Sequence, residues 1–194
     1  YKNYKGKIIR LGMEILKFSD KMVEEKLINK KQEFNILTIS RMDFPFKSYI
    51  LGLLDTYNEL KEIYTNMTLT IVGDGADSSQ VYQKIEGLSS YKKKDIEMHG
   101  DVPYEKLQEY FKKAHVYVGM GTTLLDAANW GVPGIISKAY CKFPVSTGFF
   151  FEQYNDLSGN EKINQVQLKE MKELIKQVIN STDKEYKEIC KESY

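Results

Sequence analysis

The chain has 194 residues, 42% hydrophobic and 28% charged, with a formal net charge of +1. That is the balance of a globular chain with one sizeable core, and it gives no electrostatic footprint for nucleic acid. No run approaches the roughly 18 to 20 apolar residues that span a bilayer, and no secretory leader is visible.

Residues 7–28 read as a charged helix with an apolar stripe of Ile8, Leu11, Ile15, Leu16, Met22, Val23 and Leu27. Lys30-Lys31-Gln32-Glu33 breaks that pattern. From Phe34 the texture changes. Residues 35–40 form a β-branched apolar run, as expected of a strand covered on both faces. Residues 48–64 carry Ile50, Leu53, Leu54, Tyr57 and Leu60 at helical spacing. A second strand follows at 67–73, a helix at 79–91, a third strand at 95–100 and a helix at 104–114. Then come a fourth strand at 115–118, a short helix at 123–130 and a fifth strand at 133–137. Residues 166–181 read as an amphipathic helix, followed by a polar helical tail. The expected organisation is an N-terminal helical segment at 1–33, a Rossmann-like domain at 34–160, and C-terminal helices at 161–194 packed on it.

Strands alternating with helices across short connections predict an α/β fold with a doubly wound parallel sheet. Ligands of such sheets bind beyond the carboxyl ends of the strands. The loops to inspect are therefore 40–48, 73–79, 100–104, 119–123 and 138–148.

Gly119-Met120-Gly121-Thr122-Thr123-Leu124-Leu125-Asp126 is the most informative of them. A strand ends, two glycines allow close backbone approach, and a helix N-terminus offers free N–H groups to an anion. Thr122 and Thr123 add hydroxyls. It is neither the G-x-G-x-x-G fingerprint nor a P-loop. A plain alternative is a capping box from Thr123 to Asp126. Arg41 and Lys47 follow the first strand and could bracket a polyphosphate, Arg41 by its fork and Lys47 as a point charge. The alternative is a solvated basic pair. Gly73-Asp74-Gly75 is ordinary turn chemistry by itself. His99 and His115 lack a recognisable catalytic partner and read as structural. The two cysteines, Cys141 and Cys190, have no metal-ligand spacing. Neither a metal nor a cofactor is expected, and the thiols suit a reducing, cytoplasmic setting.

Taken in order, these segments resemble the C-terminal half of a GT-B glycosyltransferase of the family glycosyl transferases group 1. Its pattern has Arg and Lys after one strand, V-G-x-G after the next and G-x-V after the third. A-D-V enters the fourth, and E-A-x-A-x-G-x-P-V follows a glycine loop. Here the corresponding stretches are Ser40-Arg41 to Lys47, Val72-Gly73-Asp74-Gly75, Gly100-Asp101-Val102, Ala114-His115-Val116, and Asp126-Ala127-Ala128-Asn129-Trp130-Gly131-Val132-Pro133. The resemblance covers about residues 35–150.

The resemblance implies catalytic roles for Arg41 and Lys47, which would hold the donor diphosphate and stabilise the leaving group. Gly73, Gly75, Val102, Gly119, Gly121, Thr122, Thr123 and Asp126 would line the donor, with Val102 at the base and Asp126 at the ribose hydroxyls. This sequence departs from the family in having no Glu in the shortened stretch before Asp126, and in carrying Asp where the family has Glu. The short loop is closer to that of the cell-wall N-acetylglucosaminyltransferase. The implied partner is a UDP-, GDP- or ADP-linked sugar, used in making a surface polysaccharide, such as a bacterial capsule, or a glycolipid. GT-B enzymes also need an N-terminal acceptor domain. The chain is therefore expected to be a fragment, inactive alone, and cytoplasmic or peripheral at the inner membrane face when complete. Alternatives are a non-catalytic GT-B-like nucleotide-binding or assembly module, a GT-B-fold epimerase, or a flavodoxin-like domain.

Overall fold

The structure, a computed structural model, describes residues 15–160 and 167–194. Helix α1 (Asp20–Gln32) precedes strand β1 (Phe34–Ile39) and helix α2 (Tyr49–Leu60). Strand β2 (Met67–Val72), helices α3 (Ser78–Glu86) and α4 (Ser90–Lys93) and strand β3 (Ile96–His99) follow. A 3₁₀ turn (Tyr104–Lys106) leads into α5 (Leu107–Lys113), β4 (Val116–Gly119), α6 (Thr123–Asn129) and β5 (Gly134–Ser137). The chain continues through β6 (Val145–Phe149), a second 3₁₀ turn (Phe150–Glu152) and β7 (Lys169–Glu170). It closes with α7 (Met171–Asn180) and α8 (Asp183–Ser193).

The seven strands form one sheet in the order β3-β2-β1-β4-β5-β6-β7. Pairings from β3 through β5 are parallel, and those of β6 and β7 are antiparallel. The chain first winds outward from β1 to β3, then returns to lay β4 on the other side of β1. This reversal is what opens a ligand crevice at the strand ends in doubly wound sheets.

Both faces are covered at the sheet's centre, because β1 and β4 carry apolar side chains in both directions. On one face Ile36, Leu69, Val116 and Val118 pack with Ile50, Leu53 and Leu54 of α2 and with Met171, Leu174, Ile175 and Val178 of α7. The last four recur at helical spacing and bury the stripe seen in the sequence. On the other face Leu37, Tyr117 and Ile136 meet Leu107 and Phe111 of α5 and Leu124 of α6.

Four expectations are corrected. Residues 7–14 lie outside the described residues, but 15–19 are not helical and α1 runs on to Gln32. Lys30 does not break it, because its stem is buried like that of Lys26 and both ammonium groups find carbonyls. Lys26 Nζ donates to the carbonyls of Phe111, Lys112 and Ala114 at 2.5, 3.1 and 2.9 Å, closing the end of α5. Lys30 Nζ donates to the Ser181 carbonyl at 2.7 Å. Second, the helix expected over 79–91 is two helices, interrupted at Gly87-Leu88-Ser89. Third, the last four residues of the expected loop 138–148 belong to strand β6. Its Ser-Thr-Gly composition disguises it, yet Ser146 Oγ donates to the Ile136 carbonyl at 2.7 Å where the β5–β6 register shifts. Fourth, the expected helix over 166–181 begins only at Met171, because Lys169 and Glu170 pair with β6.

His115 has a structural place. Its Nδ1 accepts from the Asn35 N–H at 3.0 Å, so the proton sits on Nε2, 3.0 Å from the Lys26 carbonyl. Burial lowers its pKa to about 4, and the Lys26 and Lys30 cations push the same way. An unfolded histidine titrates near 6.5. Between those values the unfolded chain takes up a proton that the native state refuses. This linkage therefore lowers stability as pH falls from about 6.5 to about 4, by up to about 3 kcal/mol. An NMR titration of the native protein should place the His115 imidazole near 4. A value near that of free histidine would show the ring to be solvated.

Candidate functional site

The crevice lies beyond the carboxyl ends of β1 and β4. Strand β1 delivers Ser40, Arg41 and the turn to α2. Strand β4 delivers Met120, Gly121 and the start of α6. The Tyr117 hydroxyl ties the two together, donating to the Ile39 carbonyl at 3.3 Å and lying 2.5 Å from Thr123 Oγ1. Burial raises the Tyr117 pKa well above its usual value, so this link is neutral.

The loop after β1 is held by the loop after β2. Gly73 has φ +115°, and a Cβ there would sit 2.2 Å from the Ser40 carbonyl oxygen. A Cβ on Gly75 would sit 2.6 Å from the Met42 oxygen. The Met42 N–H donates to the Asp74 carbonyl at 2.9 Å, and the Phe44 N–H to Asp77 Oδ2 at 2.8 Å. Gly73 and Gly75 therefore act here by letting two backbones touch. The close approach is between loops.

That clamp fixes Arg41 and Lys47. Arg41 is exposed, and its Nε lies 2.5 Å from Asp43 Oδ2. Lys47 is half-buried and makes no side-chain hydrogen bond or ion pair among the described residues. Burial lowers its pKa first, and the Arg41 charge lowers it further, against a smaller opposite pull from Asp43. Buried Lys26, Lys30, Lys61 and Lys92 all meet carbonyl or carboxylate oxygens. Lys47 stands apart from them as a partly desolvated cation whose attraction for an anion is unspent.

In the glycine loop, Gly119 is buried, and a Cβ on it would overlap the Tyr117 ring. Gly121 has φ +76° with open space where a side chain would be. Its N–H already donates to the Leu157 carbonyl at 2.6 Å. The Thr123 hydroxyl is turned to the Met120 carbonyl at 3.0 Å as well as to Tyr117. The Thr122 N–H and hydroxyl and the Thr123 N–H find no partner among the described residues. Asp126 does not form the capping box. No side chain caps α6, and Asp126 Oδ1 instead accepts from the Tyr104 hydroxyl at 2.7 Å. Val102 is half-buried against the second core.

Sequence reasoning missed Tyr104, Tyr117 and Leu157. Tyr104 closes the expected loop 100–104 and Tyr117 lies in the expected fourth strand, and no motif singles out either. Nothing in the sequence signals that Leu157, distant in the chain, meets Gly121. A separate groove of about 310 Å³ is lined by Asn35, Thr68, Thr70, Glu97, His99 and Tyr110. It lies on the face of the sheet, away from the crevice. His99 sits there with Nε2 3.3 Å from Glu97 Oε2. No three His, Cys, Asp or Glu residues among the described ones could hold a metal ion. No described helix is long and apolar enough to cross a membrane.

This is a Rossmann-like unit with its crevice at the β1–β4 reversal. The sequence matches glycosyl transferases group 1 over residues 20–185, and the chain belongs to that family. Among solved structures it is similar to an S. aureus TarM mutant in complex with Fondaparinux, alpha-GlcNAc-glycerol and UDP (TM-score 0.57, 20% identity, 84% of this chain and 31% of that one). It is similar to WaaG, a glycosyltransferase involved in lipopolysaccharide biosynthesis (0.58, 14%, 89% and 45%). It is also similar to the N-terminal domain of Candida albicans trehalose-6-phosphate phosphatase (0.62, 14%, 90% and 41%). At such identities the likeness is one of fold, and the fold is one half of a GT-B glycosyltransferase. The chain spans between 31% and 45% of the length of these structures. A search of curated proteins by sequence returns no match.

Gly73→Ala should destabilise the protein by about 3 kcal/mol, from the left-handed backbone and the overlap with Ser40. Urea denaturation measures it. A loss under about 1 kcal/mol would mean that the loops are not held by this contact.

Proposed function

We propose that the chain is the donor-binding half of a glycosyltransferase and holds a nucleoside diphosphate-sugar in the β1–β4 crevice. Lys47 carries this reading: a half-buried ammonium beside Arg41, with no oxygen partner among the described residues. A diphosphate would supply those oxygens. Lys47 serves as a point charge and Arg41 as a fork, once its guanidinium leaves Asp43. As the bond between the sugar's anomeric carbon and the phosphate oxygen breaks, negative charge grows on the leaving diphosphate. The two cations stabilise it, which lowers the barrier. The Thr122 N–H offers a further donor, Gly121 leaves open space for the phosphates, Gly119 makes room for the Tyr117 ring beneath them, Asp126 takes the ribose hydroxyls and Val102 borders the base. Gly73 and Gly75 contribute by clamping the Arg41–Lys47 loop.

The donor is a UDP-, GDP- or ADP-linked sugar, and the product a surface polysaccharide or glycolipid. UDP in the TarM complex and the lipopolysaccharide role of WaaG support this reading by analogy of fold. The acceptor is bound by a further domain, in line with the greater length of these structures. Transfer then takes place in the cytoplasm or at the inner face of the membrane.

A ligand that binds only the native state raises the unfolding midpoint by mass action. UDP, GDP and ADP should be compared on the wild type, Arg41→Ala and Lys47→Met. One nucleotide should stabilise the wild type, and Lys47→Met should weaken its binding by about tenfold or more. Met preserves the buried stem, so the unliganded midpoint should hold. Binding should also fail at a lower alkaline pH than for an ordinary lysine, because the Lys47 pKa is lowered. Silence from every nucleotide, or a Lys47→Met protein that binds like the wild type, rejects the assignment.

A further inference from the structure

The loop after β3 and helix α6 meet through one side-chain bond, from the Tyr104 hydroxyl to Asp126 Oδ1 at 2.7 Å. Its two partners are unusual in what they lack. Asp126 has no other side-chain hydrogen bond and no cation within ion-pair distance among the described residues. A carboxylate in the first turn of a helix normally turns toward the free N–H groups there, and this one does not. Tyr104 is 66% exposed and joins neither hydrophobic core. It stands on a single 3₁₀ turn after Pro103, so its ring can rotate away with little loss of packing. The bond to Asp126 is the main cause holding the phenol pKa above its usual value.

We propose that Tyr104 competes with ribose for Asp126 and thereby sets the affinity of the crevice for ribonucleotides. This rests on the nucleotide-sugar reading above. A carboxylate has two oxygens and accepts a vicinal diol through two O–H···O bonds, whereas a phenol supplies one. An incoming ribose therefore exchanges one charge-assisted bond for two, and the released ring swings out with the β3 loop. Tyr104 keeps the Asp126 charge satisfied until then, because an unmatched carboxylate at a partly covered site is costly. The tyrosine lowers affinity for any ligand that needs Asp126 and leaves alone any ligand that does not. It is a specificity device that acts on the sugar of the nucleotide, independent of the base.

Calorimetric titration of the chain tests this with wild type and Tyr104→Phe, using UDP, GDP and ADP and their 2′,3′-dideoxy analogues. The unliganded unfolding midpoint serves as the folding control. Tyr104→Phe should bind the preferred ribonucleoside diphosphate about three- to tenfold more tightly, the scale of one lost competing hydrogen bond. Its affinity for the dideoxy analogue should equal that of the wild type. If the wild type binds a ribonucleotide and Tyr104→Phe binds it equally or more weakly, the competition is refuted while the nucleotide reading stands. An equal gain for the dideoxy analogue also refutes it, since the effect would not pass through ribose. If no nucleoside diphosphate binds the wild type, both readings fall together.

Discussion

At Gly73 two backbones come so close that a methyl group would lie 2.2 Å from the Ser40 carbonyl oxygen. The ligand side of the molecule depends on that contact. It brings the loop after β2 onto the loop after β1, and the neighbouring Met42 and Phe44 N–H groups are then satisfied by Asp74 and Asp77. With its backbone groups paired, the β1 loop is determined in conformation. Arg41 and Lys47 are carried to one edge of the crevice as a consequence. Tyr117 does the corresponding work on the other side, pinning the end of β1 to the start of α6.

The chain is rich in lysine, and most of its buried lysines do structural work. The Lys26 ammonium reaches the end of α5, where carbonyls lack intrahelical partners, and the Lys61 ammonium meets the carbonyls of Thr65 and Met67 where the chain passes from α2 into β2. The aliphatic stem adds apolar surface to the core while the ammonium answers those carbonyls. Lys61 adds an ion pair with Asp95 at 2.7 Å. Against this pattern Lys47 has a different physical meaning. It bears part of the desolvation cost without the compensating oxygens, which is stable only where solvent or a ligand supplies them. Asp126 mirrors it with opposite sign, a carboxylate whose partner is an exposed phenol and not a cation.

Five parallel strands and the helices between them were legible because the apolar runs of β1, β2 and β4 and the stripes of α2 and α7 express burial directly. The antiparallel strands β6 and β7 were not. Gly148 and the polar pair Ser146-Thr147 read as turn residues, and only the partner strand β5 gives the Ser146 hydroxyl and the strand backbone a ladder to join. Helix α1 was misplaced for a related reason. A lysine counts as a polar break in a periodic pattern, yet Lys26 and Lys30 are buried against carbonyls from distant helices.

The sequence by itself determined the alternation of elements, the family to which the chain belongs, and the residues that crowd the carboxyl ends of the strands. Those follow from local composition and order along the chain. Only the tertiary structure decided which groups in those loops are still free. The Gly121 N–H is taken by Leu157 and the Thr123 hydroxyl by Tyr117 and Met120, while Lys47 keeps its charge unmet. Asp126 is held by Tyr104, 22 residues away in the chain. Hydrogen bonds saturate, so what a group can offer a ligand depends on every neighbour the fold brings to it, and those neighbours are set by packing across the sheet.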